Sequence, residues 1–234
     1  MKKKLLPRLT GVLLALAVVL AGLAAPLHIA GTTAEAMEWM FLRHAPSVRT
    51  GLPEAEYRPV AQMTASFLAG ETTEFQHIFT ADNGMTYSCF NSREQAHMAD
   101  CAVLFALCRM VLKVSLAVLA GMLIAAYLQR KSLHAVLTAL IRTMLAVVLC
   151  AAVIAVWAVT DFEGIFILFH QISFTNDMWL LNPATDLLIR LMPTSFFMEY
   201  AAFAGGAWLL ICALCAAAAV MIRRRIPSAT NRGT

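Results

Sequence analysis

Of the 234 residues, 60% are hydrophobic and 14% charged, and the mean hydropathy is +0.72. A soluble domain is about half apolar and a quarter charged. A single water-surrounded core is therefore excluded, and lipid must be part of the solvent. The net charge of +4 sits in clusters beside apolar runs without interleaved aromatics, so no nucleic-acid partner is expected.

The chain opens with Lys2, Lys3, Lys4 and Arg8, followed by an apolar run from Leu9 to Ile29. A helix crosses about 30 Å of hydrocarbon with roughly 20 apolar residues, so 9–29 is the first expected span. A rival reading exists, because Ala34-Glu35-Ala36 resembles a signal-peptidase site. The run exceeds the usual apolar core of a signal peptide, roughly 7–15 residues, which favours a retained helix. Residues 30–100 form a first outer segment. In it Val60, Met63, Phe67 and Leu68 fall at i, i+3, i+7 and i+8, interrupted by Thr64. The spacing predicts an amphipathic helix on the lipid surface. Phe75 to Phe90 centres on Asn83-Gly84, a strong hairpin signal because both residues tolerate positive φ. Asn91-Ser92-Arg93-Glu94 reads as a helix N-cap with its acidic partner three positions on. That helix should run into a second span, 102–127.

Arg130 and Lys131 precede a third span, 134–159. The second outer segment, 160–199, contains Phe166 to Phe169 and Trp179 to Leu181, and is too apolar to float in water. Asn182-Pro183 predicts an N-cap with Pro at the first helical position, and Pro193 should stop that short helix. The fourth span is 200–222, followed by Arg223, Arg224 and Arg225. Basic clusters mark the cytoplasmic side, and four crossings place all three there. The expected fold is an all-α membrane protein. It is a four-transmembrane-helix bundle, N-in/C-in, with two structured extracellular segments: a small β-hairpin and amphipathic or re-entrant helices. Long ordered loops tend to carry function, so function is expected outside.

The six cysteines do not make a disulfide framework. Cys108, Cys150, Cys212 and Cys215 lie in or near spans, where Cys is a small packing residue. Cys212-Ala-Leu-Cys215 has C-x-x-C spacing but a lipid setting. Cys89 and Cys101 face the exterior, where a bridge is allowed.

Of six histidines, His134 is cytoplasmic, His28 ends the first span as an interfacial anchor, His44 lies in a plain loop, and His77 is a solvated hairpin residue. His97 and His170 differ, one at each outer helix–membrane boundary with polar company. Glu94, His97 and Asp100 recur every third residue, so they share a helical face. A carboxylate there would fix the imidazole tautomer, although a helix-stabilising Glu–His pair accounts for the same spacing. E-x-x-H-x-x-D with His170 supplies nitrogen and oxygen donors, but the spacing is no zinc signature. No metal and no cofactor are expected. His170 is followed by Gln171, Ser173, Asn176, Asp177 and the belt residue Trp179. Arg109 and Lys113 lie one turn apart in an apolar run, as functional groups or as snorkelling anchors. Arg142 has a similar bland explanation, and Arg190 can pair with Asp186. There is no P-loop, G-x-S-x-G or Rossmann glycine pattern.

Two stretches carry a resemblance. Cys89 to Asp100 contains F-N-x-x-E-x-x-H-M-x-D. Phe169 to Phe197 contains F-H-x-x-x-F-x-N-x-x-W-x-L-x-P-x-x-D-x-L-I-x-x-x-P-x-x-F-F. Both are similar to the bacterial lipoprotein intramolecular transacylases (Lit), four-helix membrane proteins, and the topological likeness covers most of the chain. Asn182 stands where the resemblance calls for an acidic residue, and Cys101 where it calls for an apolar one.

The resemblance implies a diacylglyceryl-modified lipoprotein as substrate and the bilayer as partner, with the active site on the outer face of the bacterial cytoplasmic membrane. The sn-2 acyl chain would move to the α-amine of the N-terminal cysteine, giving a lyso-form lipoprotein. His97 and His170 would share the proton transfers as base and acid. Glu94 or Asp100 would orient His97, Asn91, Tyr87 or Asn176 would serve the oxyanion, and Trp179, Arg109 and Lys113 would meet substrate or lipid. A Cys89 or Cys101 acyl-enzyme is a rival mechanism without an evident activating partner. Outside this family the alternatives are a non-enzymatic membrane adaptor and a metal-binding or transport protein. No acidic residue lies within any predicted span, which argues against an ion pathway. Oligomeric state stays open.

Overall fold

In the computed structural model, which describes residues 2–81 and 83–226, four helices are long and apolar enough to cross a membrane. They are α1 (Lys2–Thr32), α5 (Ser92–Leu128), α6 (Leu133–Thr160) and α9 (Thr194–Arg225). Each contains one predicted span. The 37-residue α5 extends about 55 Å at 1.5 Å per residue, well beyond the roughly 30 Å of hydrocarbon. The side chains of Lys2, Lys3 and Lys4, used above for orientation, lie outside the described residues.

The chain forms two units. The first comprises the chain up to Pro26, Met110–Trp157 and the chain from Gly205. Its core joins Leu14, Ala15 and Val19 of α1 to Leu137, Leu140 and Met144 of α6, and to Trp208, Cys212 and Ala219 of α9. Small residues permit the close approach, as is usual where packing must drive helix association in lipid. An ideal Cβ on Gly11 would sit 2.2 Å from the Val136 carbonyl oxygen. Two polar groups inside are paired, Trp208 Nε1 donating to the Val19 carbonyl at 3.1 Å and Gln129 Nε2 to Thr10 Oγ1 at 3.0 Å, while Gln129 Oε1 is buried without a partner among the described residues. Outward positions such as Leu116, Leu123, Leu145, Val153, Leu210 and Leu214 are apolar and exposed, as lipid demands.

The second unit comprises Leu27–Arg109 and Ala158–Ala204. It contains α2 (Ala34–His44), α3 (Ser47–Thr50), α4 (Tyr57–Ala69), strands β1 (Ile78–Thr80) and β2 (Thr86–Ser88), α7 (Phe162–Ser173) and α8 (Leu187–Leu191). The apolar stripe expected to lie on lipid is instead the inner face of α4. Val60, Phe67 and Leu68 join Met37, Met40 and Phe41 of α2 in one core, closed by Phe75, Phe90, Leu187, Leu191 and Phe196. Thr64, the interruption in the stripe, is fully buried there. Tyr57 ties the base of this core, donating to the Ala45 carbonyl and lying 2.9 Å from Thr50 Oγ1.

The hairpin forms, with Phe79 opposite Tyr87, but the two-residue turn does not. Five residues separate the strands, the Gly84 N–H closes a turn on the Ala81 carbonyl, and among the described residues between the strands Gly84 alone takes positive φ (+74°). The glycine supplies the left-handed step that lets a longer loop match strand twist.

The α5 N-cap forms as a reciprocal box. Asn91 Oδ1 accepts from the N–H groups of Arg93 (2.9 Å) and Glu94 (3.1 Å), and Glu94 Oε2 accepts from the Asn91 N–H (2.8 Å). Asn182-Pro183 opens a turn rather than the helix. Asn182 Oδ1 takes the Ala184 N–H, and α8 begins only at Leu187, behind Asp186. Pro193 separates α8 from α9 as expected.

Candidate active site

The second helical turn of α5 and the last turn of α7 bring His97 and His170 together. Their ring centroids are 5.8 Å apart, and the residues are only 7% and 6% exposed. The sequence positions α7 through an N-cap, Asp161 Oδ1 accepting the Gly164 N–H at 2.9 Å. Aromatic rings enclose the pair. Around His170 stand Phe166 at 4.3 Å, Trp179 at 5.0 Å, Phe169 at 5.4 Å and Phe174 at 5.5 Å. Phe174 also meets His97 edge-on at 5.2 Å.

The imidazole nitrogens have different surroundings. His170 Nδ1 lies 2.7 Å from the Phe166 carbonyl oxygen. A carbonyl only accepts, so Nδ1 carries the hydrogen and Nε2 keeps its lone pair. Burial pushes the His170 imidazole below its ordinary pKa, the bond to Phe166 pulling weakly the other way. The neutral ring is therefore favoured near pH 7. His97 Nε2 lies 3.7 Å from Cys101 Sγ, and His97 Nδ1 is buried with no partner among the described residues.

The structure reassigns most of the supporting residues named from sequence. Glu94 does not orient His97. Its Oε1 accepts the Leu188 N–H at 2.6 Å and its Oε2 accepts the Asn91 N–H, so it fastens α8 to the start of α5. Asn91 is not free for an oxyanion, because its Nδ2 donates to Asp186 Oδ1 at 2.9 Å. Asp186 in turn accepts the Asn182 N–H and the Thr185 hydroxyl. Tyr87 stands on β2 with its hydroxyl among Asn83 and Met85 and its ring stacked on Phe79. Asp100 accepts from Asn176 Nδ2 at 2.9 Å, which engages both groups in pinning the segment after α7. Trp179 lies against His170 and anchors its indole N–H on the Asn176 carbonyl at 3.0 Å. Arg109 does not snorkel freely. Its Nη1 caps α4 at the Leu68 carbonyl, 2.9 Å away. Lys113 is exposed, and Arg190 meets the Asp186 main-chain carbonyl rather than its carboxylate.

Further findings concern titratable groups. His44 sits at the end of α2 with Nε2 2.6 Å from Glu199 and Nδ1 3.1 Å from Ser195, and Arg43 joins the same carboxylate. His77 is not solvated, since its Nε2 lies 2.7 Å from Glu56. His28 Nδ1 is buried without a partner among the described residues. Cys89 and Cys101 are free thiols. Burial, then Glu56 and Glu94, push the Cys89 thiol up to about 12, which makes it a poor nucleophile. Cys101, contrary to expectation, does have a histidine beside it. Arg93 is not singled out by any pattern in the sequence. Its Nη1 donates to the Asp177 (2.8 Å) and Leu180 (3.2 Å) carbonyls and holds the segment that carries Trp179.

This arrangement offers one imidazole lone pair and a second imidazole within an aromatic enclosure. It suits proton transfer on a substrate that brings its own nucleophile. The sequence profile of the family described as Lipoprotein intramolecular transacylase Lit matches residues 12–197. Among solved structures, the chain is similar to the membrane integral lipoprotein intramolecular transacylase Lit from Bacillus cereus, with a TM-score of 0.70, 18% identity, and coverage of 94% of this chain and 98% of that one. A histidine-to-arginine variant of that protein superposes with a TM-score of 0.63 at 20% identity, over 94% of each chain. A histidine-to-alanine variant gives 0.63 at 17%, over 94% of this chain and 92% of that one. At these identities the likeness is one of fold. No curated protein matches by sequence.

Proposed function

We propose an O-to-N acyl transfer for this chain, which belongs to the lipoprotein intramolecular transacylase family and is an acyltransferase. The substrate is a lipoprotein whose N-terminal cysteine bears an S-diacylglyceryl group and a free α-amine. The sn-2 acyl chain leaves the glycerol oxygen and joins that amine, giving an N-acyl, S-monoacylglyceryl lyso-form. The observation that carries this reading is the His97–His170 pair, buried in one aromatic enclosure with the His170 tautomer fixed by the Phe166 carbonyl.

Donor and acceptor belong to one molecule, so the enzyme needs no covalent nucleophile. The amine attacks through an eight-membered ring that closes poorly unless its ends are held together, and orientation within the enclosure supplies rate. An α-ammonium has a pKa of roughly 7.7–8.0 and loses that proton to solvent before reaction. The neutral amine then attacks with its lone pair, and one of its remaining N–H protons must leave as the C–N bond forms. His170 Nε2 receives it. The glyceryl oxygen departs as a poor leaving group unless protonated, and the same imidazolium returns the proton to it. His97 donates a hydrogen bond to the carbonyl oxygen as negative charge develops there. Amine plus ester thus gives amide plus alcohol with no net proton change. Trp179 walls the acyl chain, and Lys113 meets lipid headgroups.

The basic clusters support an N-in/C-in orientation in the cytoplasmic membrane of a bacterium, with the histidine pair on the outer side and spans at 9–29, 102–127, 134–159 and 200–222. Residues 30–100 and 160–199 are then the outer segments. The test is expression in cells that make only diacyl lipoproteins, followed by N-terminal mass analysis. Wild type should convert them to the lyso-form, and His97→Ala and His170→Ala should each lose conversion. Full conversion by either variant would refute the assignment.

A further inference from the structure

We propose that Cys101 is a positioning residue for this reaction: its thiol donates to His97 Nε2 and holds His97 in the tautomer that carries its hydrogen on Nδ1. The inference rests on the two-histidine reading above and adds a residue to it. Cys101 follows His97 by one turn of α5, so both side chains leave the helix on one face, and Sγ lies 3.7 Å from Nε2. His97 is 7% exposed, yet its Nδ1 meets no partner among the described residues.

A neutral imidazole has one N–H and one lone pair. Which nitrogen holds the hydrogen is set by what the other one meets. A thiol facing an imidazole nitrogen has two choices. It can donate S–H to the nitrogen lone pair, or accept N–H on sulfur, which is a weak acceptor. The first uses the basic nitrogen fully. It leaves Nδ1–H as the free group, buried and aimed away from the helix partner. His170 has the opposite arrangement, with Nδ1–H tied to the Phe166 carbonyl and the Nε2 lone pair free. The two rings therefore present complementary groups, one lone pair and one N–H.

Acyl transfer needs both at once: a lone pair for the amine proton and a donor for the oxyanion. Without the thiol, His97 would populate both tautomers. Part of the enzyme would then offer a lone pair to a developing anion. The resemblance calls for an apolar residue at this position, so the thiol refines the reaction rather than founding it.

The test uses the full chain in lipid nanodiscs with [15N]histidine and a synthetic dipalmitoylglyceryl lipopeptide bearing a free amine. The 15N shifts read the His97 tautomer, assigned by comparison with His97→Gln. Wild type should show hydrogen on Nδ1. Cys101→Ala should shift toward a mixture and lower kcat about fivefold, the worth of one weak hydrogen bond, with KM unchanged. Cys101→Ser, which keeps a donor, should restore the tautomer and most of kcat. Hydrogen on Nε2 in wild type, an unchanged kcat in Cys101→Ala, or a serine variant as slow as the alanine one would overturn the inference. Turnover by His97→Gln or His170→Gln at the wild-type rate would instead overturn the two-histidine reading itself.

Discussion

Replacing Glu94 by alanine probes a carboxylate that the sequence places beside His97 but the fold uses elsewhere. It is 1% exposed and accepts two main-chain N–H bonds, from Leu188 at 2.6 Å and Asn91 at 2.8 Å. A hydrogen bond to a charged acceptor contributes about 1.5–3 kcal/mol, and alanine leaves both donors buried without a partner, so the loss is about 3–6 kcal/mol. For a chain of this length each kcal/mol moves Tm by roughly 2–4 °C, which puts Glu94→Ala at least roughly 6 °C below wild type. Glutamine keeps one acceptor oxygen but turns its amide toward the other N–H, so Glu94→Gln should fall between the two. Thermal unfolding in detergent, followed by near-UV circular dichroism, measures the series. Acyl transfer by the glutamine variant, expressed per folded molecule, should stay close to wild type. An alanine variant as stable as wild type would refute the account. So would a glutamine variant that folds normally but does not turn over, because it would return Glu94 to the chemistry.

Two further outcomes follow from packing and charge. Gly11→Ala should destabilise by about 1–3 kcal/mol, as overpacking does, because its Cβ would fall 2.2 Å from the Val136 carbonyl and 2.8 Å from Ala139 Cβ; Gly121→Ala, which meets nothing within 4 Å, is the control in the same melt. The pKa of His170 is lowered in the folded chain, so its neutral form is favoured by folding. Stability should hold above pH about 6.5, the unfolded value, and decline as pH falls below it, where the unfolded chain takes up the proton first. The acid limb of kcat should likewise lie below about 6.5. A limb above that value in single-turnover measurements would contradict a buried, neutral base.

What the sequence made legible was local. The Asn91–Glu94 box, the hairpin pairing and the stop at Pro193 depend on residues within a few positions of each other, and each appears. What escaped was set at long range. His44 meets Glu199 155 residues away, and Arg93 meets carbonyls 84 and 87 residues away. No local pattern encodes such partners. Helix α7 did have a local signal, Asp161 three residues before Gly164 and apolar residues at Phe162, Ile165, Phe166 and Phe169. It was masked by the overall apolarity of the segment. The α4 stripe is legible as amphipathic but what covers it is not, because periodicity shows that a face is buried without saying against what. Both histidines stand out in the sequence, but their surroundings do not. Asp100 and Glu94 looked like orienting groups by spacing, whereas the nearest polar neighbours of the rings are a main-chain carbonyl and a thiol.

The ring of Phe166, Phe169, Phe174 and Trp179 has a further consequence. An activated ester beside a histidine base is open to any nucleophile that reaches it, and bulk water at roughly 55 M outnumbers a tethered amine unless that amine's effective concentration is far higher. Side chains with little polar surface offer water few places to bind. Under the proposed mechanism the enclosure would set the partition between transfer and loss of the fatty acid. Opening it at Trp179 should release free fatty acid in proportion to the amide that fails to form.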